Sequence, residues 1–479
     1  MALRSVTVAS TSASSAETSS HLMPLPARRP GTTPVGNWEK GETITSAPLY
    51  YDGLVITAIS GGEFGIRGSV TAYNASTGKL VWRFYTIPGP GQIGHDTWPQ
   101  TNDAWKHGGA PVWQTPAVDP KLGLLYFLTG NTSPDFNGSN RKGDNLFANS
   151  IVALDAKTGL YRWHFQQVHH DIWDLDSPSP VVLFDLKISG QLRHGLAEAS
   201  KTGWVYILDR TNGKPLVGID EKAVPQELEQ HTSLTQPYPV GDAFTPQSVT
   251  VEEAARLTKA RAAAAKSAGG EDKLDTPKWN YTNEARIFTP YWGQTGVIAK
   301  PSTIGGTNWP PSSYSEQTGY LYVCSADATS IFTSSEVEYD PTDIRNGNDF
   351  LGSAFSAPDG NIVRGAFTAM DMRTNKIVWQ KQWDHSCYSG SVSTAGGLVF
   401  VGQNDGRLLA YDARNGEQLW EFQTGAGANA PATVFERNGK QYLILVSAGS
   451  SLGGTTHGDS VWLFGLDGKL GPAAAKVGG

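Results

Sequence analysis

Short runs of alternating apolar and polar residues recur along the chain, each followed by a polar turn and a second run that carries a tryptophan. Val70-Thr71-Ala72-Tyr73 and Leu408-Leu409-Ala410-Tyr411 read as half-buried strands. Further strands are predicted over 53–59, 124–129, 204–208, 320–324, 397–401 and 441–446. One segment departs from this rhythm. Thr250-Val251-Glu252-Glu253 is a capping box, 254–267 is alanine-rich, and Gly269-Gly270 is a stop, so a surface helix is predicted inside a long excursion between strands.

The strand–turn–strand unit repeats. Ala72-Tyr73-Asn74, Thr77-Gly78 and Trp82 return as Ala153-Leu154-Asp155, Thr158-Gly159 and Trp163. They return again as Ala369-Met370-Asp371, Thr374-Asn375 and Trp379, and as Ala410-Tyr411-Asp412, Asn415-Gly416 and Trp420. Ile207-Leu208-Asp209 with Asn212-Gly213 is a degenerate copy. Ala369 and Ala410 are 41 residues apart, and Ala72 and Ala153 are 81, close to twice that. A period near 40 with several short strands is blade spacing, so the fold expected is an all-β propeller of four-stranded blades. In each turn the Asp or Asn side chain binds turn backbone and the Gly takes positive φ, while the Trp wedges between sheets and offers its N–H to a carbonyl. Four full copies, one degenerate copy and one or two blades without a motif are expected. The propeller is assigned to 37–470 with its helical insertion at about 250–270, after a Ser/Thr-rich segment, 1–36, read as disordered; 471–479 is a tail.

Composition narrows the functional classes. Lys+Arg total 38 against 45 Asp+Glu, a net charge of −7, which argues against nucleic acid as a partner. Gly 54, Pro 28 and Trp 15 with 39% hydrophobic residues describe a turn-rich globular chain. Two cysteines cannot ligate an iron–sulfur cluster by themselves. No C-x-x-C-H occurs, so covalently attached c-type haem is not expected. Cys324 ends a predicted strand and Cys387 precedes another in the following blade; a disulfide and two buried thiols are both compatible with that placement. No run reaches the ~18 apolar residues of a membrane-spanning helix, and no export signal is visible near Arg4.

Several segments in order resemble the quinoprotein dehydrogenases, which bind pyrroloquinoline quinone (PQQ). They are Ser60-Gly61-Gly62-Glu63-Phe64-Gly65-Ile66-Arg67-Gly68, Gly108-Gly109-Ala110-Pro111-Val112-Trp113, Thr129-Gly130-Asn131, Gly143-Asp144-Asn145, His170-Asp171-Ile172-Trp173-Asp174 and Gly396-Gly397-Leu398-Val399-Phe400. The similarity runs from about Asn37 to Leu466, and the repeat resembles that family's tryptophan-docking motif. The resemblance implies an eight-bladed propeller that oxidises an alcohol or sugar hydroxyl, with hydride passing to the quinone.

It also implies roles for residues. Glu63, Asn131 and Asp174 match metal ligands, Asp174 being also the catalytic base. Trp113 matches the floor under the quinone. Thr45, Ser60, Gly61 and Gly62 match its edge, Lys201 the basic group near its reactive carbonyl, and Asn308-Trp309 a later cofactor-proximal pair. The chemistry is coherent: oxygen donors suit Ca²⁺ or a lanthanide, an indole suits a flat ring, and a carboxylate accepts a hydroxyl proton. Asp176 matches an extra acid of lanthanide-using members; a solvated acid fits equally. The His169-His170-Asp171 context resembles the sugar- and polyol-oxidising branch. Individually, Glu63 beside Arg67 reads as an ion pair, Asn131 and Asp174 as turn residues, Trp113 as core and Lys201 as a solvated charge.

The expected partners are a small alcohol or sugar and an external electron acceptor, cytochrome or quinone. The resemblance implies a periplasmic or extracellular location. The family's members carry more chain ahead of Glu63, with an arginine near the quinone and often a vicinal cysteine pair. An incomplete ring is therefore expected here, with weak quinone retention and a tendency to form homo-oligomers. The alternative is a non-catalytic propeller of the same repeat serving as a protein-binding scaffold, which would need the docking motifs but not Glu63, Asn131, Asp174 and Trp113 together.

Overall fold

The computed structural model describes residues 32–466 and Gly468. The expectations for the first thirty-one residues and for the tail lie outside them. Among the described residues, strands form four four-stranded sheets, three three-stranded sheets and one two-stranded hairpin. The chain divides into two compact units.

The first unit runs to Trp309 and includes Ala326–Val363 and Arg373–Lys376. Its first sheet is Leu49–Tyr51, Leu54–Ala58, Ser69–Asn74 and Leu80–Tyr85, antiparallel in sequence order. The second is Ala117–Asp119, Leu124–Leu128, Ser150–Asp155 and Tyr161–Gln166. Val182–Ile188, Gln191–Ala199 and Val205–Asp209 make a third, and Ile219–Ala223 pairs with Thr235–Pro239. A further three-stranded sheet is Trp279–Asn280, Gly296–Ala299 and Ser330–Phe332, its first pair parallel.

The second unit holds most of the sheet Ser313–Ser315, Tyr320–Asp327, Arg364–Asp371 and Lys376–Trp383. It also contains Ser391–Ser393, Leu398–Gly402, Arg407–Asp412 and Gln418–Gln423, and then Thr433–Arg437, Lys440–Ser447 and Ser460–Gly465.

All four full motifs fall on the third and fourth strands of the four-stranded sheets. The degenerate copy lies on the last strand of a three-stranded sheet and the turn after it, and the other two three-stranded sheets carry none. The turn chemistry is as expected. Asp155 Oδ1 accepts from the amides of Lys157 and Thr158 and from the Thr158 hydroxyl, and Asn74 Oδ1 does the same for Ser76 and Thr77. The glycines have a second duty. A Cβ on Gly159 would lie 2.6 Å from the Trp82 indole, one on Gly213 2.5 Å from Trp163, and one on Gly416 2.7 Å from Trp379. Each tryptophan thus docks on the turn glycine of the next repeat, and only a residue without a side chain admits it. Trp163 and Trp379 donate Nε1–H to the carbonyls of Arg210 and Ala413, at 3.2 Å each. Trp82 departs from the expectation, because its buried N–H has no partner. Trp420 is 40% exposed and meets Phe464 edge-on.

The helix forms at Val251–Ala268. Thr250 Oγ1 accepts from the Glu253 amide at 3.1 Å, and Gly269 ends the helix at φ 87°. Ala254 and Leu257 are buried with Val249, Ile298 and Ile331, and Glu253 pairs with Lys300 at 2.9 Å. Cys324 and Cys387 form a disulfide, Cα–Cα 5.0 Å, within the second unit.

Candidate functional site

The segment 170–176 is not regular structure, and its backbone is bent where chemistry is expected. His170 has φ 45° and Asp174 φ 57°, left-handed values that cost a non-glycine residue roughly 1–3 kcal/mol and persist only where the surroundings enforce them. His170 is held by its ring on the Gly143 and Gln230 carbonyls, and Asp171 brackets Asp174. The buried Asp171 carboxylate accepts from the amides of Trp173 at 2.8 Å and Leu175 at 2.9 Å, and from Asn149 Nδ2 at 2.9 Å. Trp173 Nε1 is tied to the Thr289 carbonyl at 2.8 Å, and Tyr291 donates its hydroxyl to the Ile172 carbonyl.

This bend presents Asp174 and Asp176 to one cation. Lys201 Nζ lies 2.9 Å from Asp174 Oδ1 and 3.1 Å from Asp176 Oδ2, with all three side chains under 10% exposed. Lys201 is therefore no solvated charge. Burial works against its ammonium, but the two carboxylates overcome burial and hold the proton on more firmly than usual. Burial pushes the Asp174 carboxyl above the usual carboxylate range, and Lys201 pulls against that.

The remaining predicted residues gather around two glycines. A Cβ on Gly130 would stand 2.7 Å from Asp176 Oδ1 and 3.1 Å from Trp113 Nε1. One on Gly62 would stand 3.2 Å from Asn131 Oδ1. Glu63, Trp113, Asn131, Asp176 and Lys201 thus share one neighbourhood, packed closely enough that side chains at 62 and 130 would fill it. The Asn131 amide donates to Asp176, and Asn131 Nδ2 donates to the Thr132 carbonyl at 2.9 Å, so Oδ1 is the atom left to accept. Glu63 is exposed yet crowded by protein; desolvation chiefly, with Asp176 adding, raises its carboxyl above its ordinary value. Arg67 does not pair with it, but donates to the Ile87 carbonyl and Gln92 and lies 3.9 Å over the Tyr85 ring.

Thr45 and Ser60 share a hydroxyl–hydroxyl bond of 2.8 Å, and Thr45 donates to the backbone carbonyl of the half-buried Trp113 at 3.0 Å. Gly61 is at φ 110° against the Gly41 carbonyl, which explains its lack of a side chain by packing alone. Asn308 uses both polar ends locally, donating to the Ile304 carbonyl and accepting from the Trp309 amide at 2.8 Å each. Its turn reaches the site through Gly305 and Gly306, which lie against Lys201.

Three participants carry no signal in the repeat or in residue spacing. Asp135 is fully buried among Asp174, Glu63, Asp176 and Asp171, which together with burial push it far above the carboxylate range. Arg141 is fully buried and donates to the carbonyls of Pro134 and Asp171 and to Asn145 Oδ1. Glu198, buried behind Ser177 and Gln167, is pushed up to about 8. A separate cavity of about 260 Å³, bordered by Arg67, Arg83, Tyr85, His107 and Tyr339, contains none of the predicted site residues.

The donor set fits a hard cation. Among the described residues no cluster of three His, Cys, Asp or Glu is preformed at ligand distances. Asp174 and Asp176 nevertheless share Lys201, Asn131 Oδ1 and Asp176 Oδ1 border the same two glycines, and Glu63 lies within electrostatic reach of Asp176 and Lys201. The half-buried Trp113 beside paired hydroxyls suits a planar ring.

Residues 32–443 match the family model "PQQ: Glucose/ethanol/alcohol dehydrogenase, beta-propeller domain". The chain belongs to this family. It is 31% identical over 431 residues to the quinoprotein alcohol dehydrogenase PedH of Pseudomonas putida, covering 86% of this chain and 64% of that protein. It is 30% identical over 437 residues to the lanthanide-dependent methanol dehydrogenase of Methylorubrum extorquens, covering 86% and 65%. The solved quinohemoprotein alcohol dehydrogenase ADHIIG of Pseudomonas putida superposes with a TM-score of 0.68 at 28% identity over 89% of this chain and 58% of that one. A europium-containing methanol dehydrogenase does so at 0.65 and 27%, over 88% and 68%. The chain thus spans somewhat under two thirds of the length of these two curated relatives. The β-propeller fold class expected from the repeat is that of the family.

Proposed function

We propose that the chain is a PQQ- and metal-dependent dehydrogenase that oxidises an alcohol or sugar hydroxyl. The observation that carries this reading is the Lys201 bridge between Asp174 and Asp176, set against Asn131, Trp113 and Glu63 in one neighbourhood. PQQ, when bound, supplies the two-electron acceptor for a CH–OH group. Trp113 gives that ring a flat apolar wall, with Thr45 and Ser60 at its edge. Glu63, Asn131, Asp174 and Asp176 hold Ca²⁺ or a lanthanide through oxygen. Asp174 accepts the substrate's hydroxyl proton. Lys201, kept charged by two acids, stabilises negative charge developing beside it.

The names of relatives support the class: PedH is an alcohol dehydrogenase and another is a lanthanide-dependent methanol dehydrogenase. Electrons would leave to a cytochrome or quinone. The Cys324–Cys387 disulfide favours an oxidising compartment, in keeping with a periplasmic placement. Reconstitution with PQQ and Ca²⁺ or La³⁺, followed by dye reduction over a panel of alcohols and sugars, tests the proposal. Cofactor-dependent reduction with at least one substrate is expected; no PQQ binding under any metal condition overturns it.

A further inference from the structure

The turn after Asn131 carries a carboxylate for which the catalytic reading has no use. Asn131, Thr132, Ser133, Asp135 and Phe136 are all buried to 2% exposure or less. The turn is clamped on both sides. Ser133 donates its hydroxyl to the Gly62 carbonyl, next to Glu63. Thr132 donates to the Asp171 carbonyl at 3.0 Å, and Arg141 bridges the carbonyls of Pro134 at 3.0 Å and Asp171 at 2.7 Å. The Phe136 amide is bonded to the Leu351 carbonyl at 2.9 Å. Asp135 is therefore held between the segment of Glu63 and the segment of Asp174 and Asp176.

Neither oxygen of Asp135 has a hydrogen-bond partner, although the residue is only 1% exposed. Its strongest electrostatic neighbour is Asp174, followed by Glu63, Asp176 and Asp171, every one an acid. Arg141, the nearby cation, places Nη1 and Nη2 on two carbonyls and Asn145, and its buried Nε–H has no partner, so none of its hydrogen bonds reaches Asp135. An ionised carboxylate is not stable in such a place without a counter-charge. A bound cation meets that need for Asp135 and for its acidic neighbours together.

We propose that Asp135 is a further carboxylate ligand of the cation held by Glu63, Asn131, Asp174 and Asp176, and that it biases the site toward a trivalent ion. This rests on the metal-dependent reading above. With Asp135 the cation would have four carboxylates among its neighbours, Glu63, Asp135, Asp174 and Asp176, against the one buried ammonium of Lys201. That excess matches a trivalent ion, and hard cations of this size accept 6–8 oxygens, more than four side chains provide singly.

The test is Tb³⁺ binding to the metal-free full chain with PQQ present, read by tryptophan-sensitised luminescence and by displacement with Ca²⁺. Asp135→Asn should weaken Tb³⁺ binding by about 10- to 100-fold and weaken Ca²⁺ less. Asp135→Glu, which keeps the charge, should stay closer to wild type. In metal-free protein Asp135→Asn should raise the melting temperature, because it removes an unpaired buried carboxylate; with saturating Tb³⁺ the order should reverse. A purely structural role would not give that reversal. Equal Tb³⁺ affinity in wild type, Asp135→Asn and Asp135→Glu would overturn the Asp135 assignment while leaving the metal site standing. Wild-type protein that binds neither Tb³⁺ nor Ca²⁺ would overturn both.

Discussion

The ammonium of Lys201 lies 2.9 Å from Oδ1 of Asp174, with neither side chain more than 9% exposed. Removing one partner of a buried pair leaves the other charge unpaired, which typically costs 3–5 kcal/mol. Lys201→Met should destabilise the chain by about that amount and abolish turnover. Denaturant unfolding of metal-free protein measures the first effect; a loss under about 1 kcal/mol would contradict the burial argument.

Asp174→Asn should keep the fold, since asparagine tolerates the left-handed backbone at φ 57°. Loss of the base should lower dye-linked turnover ~10²–10⁴-fold while PQQ binding persists. Near-wild-type turnover would remove Asp174 from the proton-accepting role.

Gly213→Ala places a methyl 2.5 Å from the Trp163 ring at a residue with φ 75°. Overpacking and backbone strain together should cost about 2–4 kcal/mol. Gly190→Ala shares the positive φ but meets no atom within 4 Å, so it isolates the backbone part. Equal melting temperatures for the two variants would disprove docking of Trp163 on that turn.

Glu198 titrates near 8 in the folded chain against 4.5 when unfolded, with burial as the chief cause. The folded state therefore binds more protons than the unfolded state between these values. The contribution of Glu198 to stability should therefore fall as pH rises from about 4.5 to 8 and level off above, by linkage. Glu198→Gln should flatten that slope. Urea unfolding at intervals across this range checks it, and an unchanged slope would assign the protons elsewhere.

The Cys324–Cys387 disulfide spans 63 residues. Replacing both cysteines with serine should cost about 2–5 kcal/mol. Thiol counting on denatured, unreduced protein from an oxidising compartment should find none free; two per chain would exclude the bridge.

The repeat was legible because its physics is local. Alternating strands, an Asp or Asn that caps its own turn, and a tryptophan at constant spacing are visible within a dozen residues, as are the capping box at Thr250 and the stop at Gly269. Glu63, Asn131, Trp113, Asp174 and Lys201 were marked by the resemblance of their motifs, although the distances between them in the chain say nothing about contact. Why Gly159, Gly213 and Gly416 must be glycine was only half visible, because the tryptophan each receives comes from another repeat. Asp135, Arg141 and Glu198 were invisible as site residues. In sequence an isolated acid or arginine reads as a solvated charge, and only the tertiary structure removes its water and sets the neighbours that decide its ionisation. Asp171 stood inside a family-like motif, but its three hydrogen bonds, which hold the bend that points Asp174 and Asp176 at one lysine, belong to the tertiary structure.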